Sequence, residues 1–134
     1  MIEWNDSLAI GDRRIDGQHQ ELISLLSEFQ TQRVAGAGDA DLHRKLEEVS
    51  LYARYHFYCE EGLMTEIGFP EIDAHTSRHH ILLEILDHIV KDLDTGKYPP
   101  SQIEGFLVQW FMDHLVDEDS KIREFIRPKT EQMR

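Results

Sequence analysis

Residues 56–79 read His56-Phe57-Tyr58-Cys59-Glu60-Glu61-Gly62-Leu63-Met64-Thr65-Glu66-Ile67-Gly68-Phe69-Pro70-Glu71-Ile72-Asp73-Ala74-His75-Thr76-Ser77-Arg78-His79. Each end of this stretch places two metal-capable side chains at i and i+4, His56 with Glu60 and His75 with His79. On an α-helix that spacing stacks a pair on one face, one turn apart. Gly68 and Pro70 interrupt the stretch, because glycine favours a helix C-terminus and proline cannot continue a helix interior. Two helices joined by so short a turn run antiparallel. Their four metal-capable side chains then face one another inside a helical bundle.

The apolar pattern extends outward from this hairpin. Upstream, the stripe is Leu42, Leu46, Val49, Ala53, His56, Glu60, Leu63, Ile67, with alternating steps of 4 and 3. Asp39 is its expected N-cap, with Asp41 in the first turn. Downstream, the stripe is Ile72, His75, His79, Leu82, Leu86, Ile89, Leu93, ended by Gly96 and Pro99-Pro100. A first helix carries Ile15, His19, Leu22, Leu26, Phe29 and stops near Ala35-Gly36-Ala37-Gly38. A fourth opens at Ser101, read as an N-cap with Glu104 as its capping box, and carries Ile103, Leu107, Trp110, His114. Continuing that stripe gives Asp117 or Glu118, yet the later apolar residues fit Leu115, Asp119, Ile122, Ile126. The buried face shifts by one residue between 114 and 119, which is the signature of a π-bulge. Pro128 is expected to end this helix and leave 127–134 as a tail. Residues 1–14 read as an N-terminal arm, with Trp4, Leu8 and Ile10 covering one end of the core. The expected fold is all-α: an up-down-up-down antiparallel four-helix bundle with an N-terminal arm, as a single domain over 1–134.

The out-of-place polar residues can be compared for height along the bundle. At 1.5 Å per residue, His19 lies roughly 24 Å before the first turn and the 56/60 pair roughly 28 Å after it. The 56/60 and 75/79 pairs lie roughly 14 and 9 Å from the second turn, and the 75/79 pair and His114 roughly 27 and 21 Å from the third. All agree to about one helical turn, so five histidines and at least one carboxylate meet at one level of the core. Unpartnered, such a buried set would be costly, and shared metal removes that cost. The set exceeds the four ligands of structural zinc and is too nitrogen-rich for calcium or magnesium. Two first-row ions bridged by carboxylates fit it best. No Glu-x-x-His occurs anywhere, so the site is poor in carboxylate beside oxidative di-iron bundles, which favours gas binding over turnover.

Composition narrows the classes. Hydrophobic residues make 40% and charged residues 30% of the 134, as in a soluble globular chain. A formal net charge of −12 argues against nucleic acid and anionic membrane surfaces as partners. Cys59 is the single cysteine, so an intrachain disulfide and a thiolate cluster are both excluded. No apolar run approaches membrane-spanning length and no signal peptide is read, so the expected location is the cytoplasm. No protein partner is indicated, and a monomer or weak homo-oligomer is expected.

His19, His56-x-x-x-Glu60, His75-x-x-x-His79 and His114-x-x-x-x-Asp119 resemble the ligand signature of the hemerythrin family. The flanks agree: Asp16-Gly17-Gln18 before His19, Phe57, Glu61 and Met64 around Glu60, and Trp110 ahead of His114. The likeness spans residues 4 to about 126 and looks like a single-domain bacteriohemerythrin. It implies Asp119, where periodicity leaves 117, 118 and 119 open. It further implies one iron ion on His75, His79 and His114 and a second on His19 and His56. Glu60 and Asp119 would bridge them beside an oxo or hydroxo group. Dioxygen would be the ligand at the open position of the second iron. Reversible dioxygen binding for storage, transport or delivery is the function so implied, not chiefly catalysis. A sensor of dioxygen, nitric oxide or iron acting through a separate partner is the alternative, and a weak oxidase or peroxidase is a third. Leu22, Phe57, Phe111 and Leu115 are candidate walls of the dioxygen pocket, and plain core residues otherwise. His43, His80 and His88 fall off the stripes and read as surface. Cys59 reads as a small packed residue and Glu61 as either a ligand's partner or solvated. Tyr52, Tyr55 and Tyr58 each stand close enough in sequence to bond a ligand histidine.

Overall fold

The computed structural model describes residues 3–132, and the side chains up to Arg127. After a short 3-10 turn at Asp6–Leu8, the helices are α1 (Arg13–Val34), α2 (Asp39–Ile67), α3 (Ile72–Asp94), α4 (Pro100–Asp113) and α5 (Ser120–Gln132). A π-helical turn, His114–Asp119, joins α4 and α5 into one column. Each helix packs on the next and α1 closes the ring against α4, giving the expected antiparallel four-helix bundle. Among the described residues no helix is long and apolar enough to cross a membrane.

The helix ends show where local chemistry acts. Asp12 caps α1 by accepting the Ile15 N–H at 3.0 Å. Gly68 ends α2 in the left-handed region at φ 69°, and the Phe69 N–H returns to the Met64 carbonyl at 2.9 Å. A β-carbon resists that backbone conformation, so glycine is required there. Three expected ends differ. Asp39 is the first residue of α2, and Gly38 takes the cap position with no side-chain bond. α4 starts one residue before Ser101, at Pro100, whose fixed φ and missing N–H suit a first helical position. Glu104 is therefore no capping-box acid, and it pairs with Arg33 across α1 at 3.2 Å. The helix also runs through Pro128 to Gln132. Proline removes one backbone hydrogen bond but has helical φ, so it need not end the helix near its terminus. Residues 133–134 of the expected tail lie outside the described residues.

The N-terminal arm packs against both apolar clusters and not against one end of the core alone. Trp4 and Leu8 pack on the larger apolar cluster, and Ile10 is buried in the smaller. Asp16 accepts the Ile10 and Gly11 N–H groups at 2.7 and 3.3 Å, and Arg123 donates to the Ser7 carbonyl at 2.7 Å. The core is split in two. The larger cluster includes Leu22, Leu26, Phe29, Leu46, Val49, Phe57, Leu86, Leu107, Trp110, Phe111 and Leu115. The smaller holds Ile10, Ile15, Cys59, Met64, Phe69 and Ile122. On α1, Gln18 and His19 fall between Ile15 of the smaller cluster and Leu22 of the larger, and on α3, His75 and His79 fall between Ile72, packed on the smaller, and Leu82 of the larger. A buried polar layer thus lies where the two apolar clusters meet.

Candidate metal centre

That layer contains His19, His56, Glu60, His75, His79, His114 and Asp119, every one of them at most 5% exposed. α1 supplies His19, α2 the pair 56/60 and α3 the pair 75/79. The last column supplies His114 and Asp119 from the two ends of its π turn. The π turn decides which acid enters. In an unbroken α-helix a residue five positions on is turned about 140° away. One inserted residue brings it back to the inner face. Asp119 is accordingly buried, Asp117 exposed and Glu118 only partly covered.

The donor atoms fall into two overlapping sets, one of Glu60, His75, His79, His114 and Asp119 and one of His19, His56, Glu60 and Asp119. Both carboxylates belong to both sets, and their two oxygens divide between them. Glu60 Oε1 lies 2.7 Å from His75 Nε2 and 3.0 Å from His79 Nε2, while Oε2 lies 3.2 Å from His56 Nε2 and 3.6 Å from His19 Nε2. Asp119 Oδ1 lies 3.2 Å from His75 Nε2 and 3.0 Å from His114 Nε2, while Oδ2 lies 3.1 Å from His19 Nε2.

The contacts are short, but many are not hydrogen bonds. Nε2 of His19, His56 and His114, Oε2 of Glu60 and both oxygens of Asp119 are buried without a hydrogen-bond partner. Buried polar atoms are rarely left so. These atoms point past one another toward shared centres. Ligands about 2.1 Å from one ion and at right angles stand about 3.0 Å apart, which is the spacing found here. The donor set of imidazole nitrogens and bridging carboxylates therefore fits a pair of first-row ions.

The ring faces turned outward are also held. His56 Nδ1–H donates to Gln18 Oε1 at 2.8 Å, and His79 Nδ1–H donates to Glu61 Oε2 at 2.9 Å. With the proton fixed on Nδ1, the Nε2 lone pair is free for a metal. Phe57 stacks flat on His79, ring centres 4.1 Å apart, and meets His114 edge-on at 5.4 Å. Phe111 stands edge-on to His19 at 6.1 Å. Leu22 and Leu115 are buried in the larger cluster. Trp110 donates to the Leu82 carbonyl at 2.8 Å, bolting α4 to α3 beside the site.

Without metal the layer stores protons. Burial disfavours a charged His19, but the close carboxylates of Asp119 and Glu60 outweigh it and raise its pKa to about 9. The same contest raises His75 to about 9 and His114 to about 10. Burial wins at His56 and lowers it. Burial also opposes charge on Glu60 and Asp119, yet the surrounding imidazoles hold both below the usual carboxylate range.

All seven expected ligands thus converge. Glu61 resolves to a ligand's partner. Gln18, which the sequence shows only as the neighbour of His19, is also buried in this layer, and that adjacency is its one signal in the sequence. Of the three tyrosines, Tyr55 accepts from Arg14 at 3.1 Å, Tyr58 is 77% exposed, and Tyr52 stands edge-on to Tyr55 with ring centres 6.1 Å apart. The outer partners come instead from Gln18 and Glu61. His80 and His88 are exposed, and His43 is half-buried between Asp94 and Glu47 at 2.6 and 2.8 Å. Cys59 is packed, with Arg14 Nη2 3.3 Å from its Sγ.

Comparison with known proteins gives a consistent result. A family profile described as "Hemerythrin HHE cation binding domain" matches residues 11–126. The bacteriohemerythrin of Stenotrophomonas maltophilia (strain R551-3) is 27% identical over 119 residues, covering 89% of this chain and 77% of that protein. The bacteriohemerythrin of Campylobacter jejuni subsp. jejuni serotype O:23/36 (strain 81-176) is 28% identical over 130 residues, covering 96% and 93%. That of Pseudomonas aeruginosa (strain UCBPP-PA14) is 24% identical over 126 residues, covering 94% and 82%.

Proposed function

This chain belongs to the hemerythrin family, and from that premise we propose that it binds dioxygen reversibly at a pair of non-haem iron ions, as an oxygen store or carrier and not chiefly as an enzyme. The observation that carries the reading is the division of the two carboxylates between three imidazoles on one side and two on the other. His75, His79 and His114 would hold one iron, His19 and His56 the other, and Glu60 and Asp119 would bridge them. When bound, such a pair, with an oxo or hydroxo group between the ions, supplies two electrons and one open coordination position to dioxygen.

The chain's own residues supply the conditions for reversal. The side with two imidazoles has fewer protein ligands, so the gas is directed there. Phe111 walls the His19 ring, and buried Leu22 and Leu115 belong to the same apolar cluster. Phe57 lies mainly against His79 and His114, so it shields the crowded side. Apolar walls exclude water and acids, so a bound gas meets no extra proton donor and can leave unchanged. The Nδ1 protons of His56 and His79 are held on the outer ring edges by Gln18 and Glu61. The absence of any Glu-x-x-His supports carriage over oxidative turnover.

The test is to load the protein anaerobically with ferrous iron, add dioxygen, record the visible spectrum and then remove the gas. A charge-transfer band that appears and vanishes over repeated cycles is expected. Irreversible conversion to the ferric state in the first cycle would contradict carriage and favour sensing or oxidase chemistry.

A further inference from the structure

The two halves of the centre differ in more than their number of imidazoles. His79 on the crowded half gives its Nδ1 proton to a carboxylate, Glu61 Oε2 at 2.9 Å. His56 on the sparse half gives its Nδ1 proton to a neutral amide, Gln18 Oε1 at 2.8 Å. We propose that Gln18 and Glu61 are positioning residues that set the two metal positions apart, Glu61 making the three-histidine position the tighter and first filled, Gln18 orienting the two-histidine position while leaving it the weaker. The proposal rests on the metal reading of the seven-residue cluster.

The chemistry follows from the outer hydrogen bond. A carboxylate accepting from Nδ1–H draws the proton outward and leaves Nε2 a better electron donor. A neutral carbonyl fixes the same tautomer and ring orientation but donates less, because charge-assisted hydrogen bonds are roughly twice as strong as neutral ones. Placement matches this division. The Glu61 side chain is 32% exposed, so water can support its charge. Gln18 is 5% exposed, one position before His19 on α1, and reaches across to His56 on α2. An acid there would be a third buried carboxylate beside Glu60 and Asp119, and buried charge without full pairing is costly. The amide instead ties the two histidines of the sparse half to one another through adjacent positions on α1. Donor number and donor strength thus favour the same half.

The experiment titrates the metal-free full chain with Co²⁺ alone, following heat and the visible spectrum. Two binding steps per chain are expected. His19→Ala should remove the weaker step and so assign it. Glu61→Gln should weaken the tighter step 10–100-fold, the usual cost of losing an outer partner of a ligand histidine. Gln18→Leu, similar in shape but unable to accept, should weaken the other step by a similar factor. Gln18→Glu, which can accept again, should bring that step back to wild-type tightness or beyond, at a cost in stability of the metal-free chain from the added buried charge; a purely packing role would not produce that rescue. Far-ultraviolet circular dichroism of each metal-free variant separates folding loss from binding loss. Two steps of equal affinity overturn the proposal, as does an unchanged tighter step in Glu61→Gln or the lack of rescue by Gln18→Glu in a folded chain. Failure of the wild-type chain to take two ions would instead overturn the metal reading beneath it, and this proposal with it.

Discussion

Loading the metal-free protein with a divalent ion at pH 8 should release roughly three protons per chain. His19 and His75 sit at about 9 and His114 at about 10, so all three are nearly fully protonated at that pH. Each must become neutral to offer its Nε2 lone pair. His56 is lowered and contributes no proton, and Glu60 and Asp119 are already ionised. A dye assay in weak buffer counts the protons released per Co²⁺ bound. Fewer than about one proton per chain would refute the picture of a proton-filled cage. The same shifts set the stability of the metal-free chain. An unfolded histidine titrates near 6.5, below the folded values. The stability contributed by His19, His75 and His114 is therefore whole below about pH 6.5 and is lost as pH rises through 9 to 10. Each such proton is worth about 1.4 kcal/mol per pH unit, so three give an upper bound of roughly 4 kcal/mol per unit near pH 8. Glu60 and Asp119 are shifted down, so their contribution is present above about pH 4.5 and is lost as pH falls. The metal-free protein should be most stable between about pH 4.5 and 6.5. Its urea midpoint should drop between pH 6 and 9, while that of the loaded protein should not follow the alkaline fall. A metal-free midpoint that stays level or rises over that range would sink the argument.

Three substitutions extend the test. Leu115→Glu places an acid in the apolar wall and should shorten the lifetime of the oxygenated protein on the order of 10²-fold, read from the decay of its visible band; a lifetime equal to wild type removes Leu115 from the pocket. Phe57→Ala empties a 3%-exposed ring site stacked on His79 and should cost about 3–5 kcal/mol in urea unfolding, with the loss larger in the loaded protein if the stack also steadies the ligand. Gly68→Ala forces a β-carbon into φ 69° and should cost about 1–2 kcal/mol without altering metal stoichiometry, measured by thermal unfolding and metal content.

The bundle could be read from the sequence because the helical period runs through the ligands themselves. His56, Glu60, His75 and His79 occupy stripe positions whose neighbours are apolar, so burial and proximity followed from spacing. The π turn was visible as a slipped stripe between His114 and Ile122. Its acid was not, because period alone allows Asp117, Glu118 and Asp119, and only the resemblance chose among them. Two helices start earlier than the side-chain caps that the sequence offers would have them: Pro100, with its fixed φ and missing N–H, opens α4 before Ser101, and Asp39 is itself the first residue of α2 after Gly38. Pro128 was misread because a proline near a helix end costs one bond and leaves helical φ intact. The outer partners were hardest to see. Gln18 and Glu61 lie next to ligands in sequence, but whether they reach a ring on another helix depends on crossing geometry, which no single stripe encodes.

The claim on which the rest depends is that two ions occupy this layer, shared by Glu60 and Asp119. The measurement that addresses it most directly is a crystal structure of the iron-loaded chain with anomalous data collected at the iron edge. Two anomalous peaks per chain are predicted, one bonded to Nε2 of His75, His79 and His114 and one to Nε2 of His19 and His56, each with one oxygen from Glu60 and one from Asp119. A single peak, or iron bound away from this layer, would contradict the account.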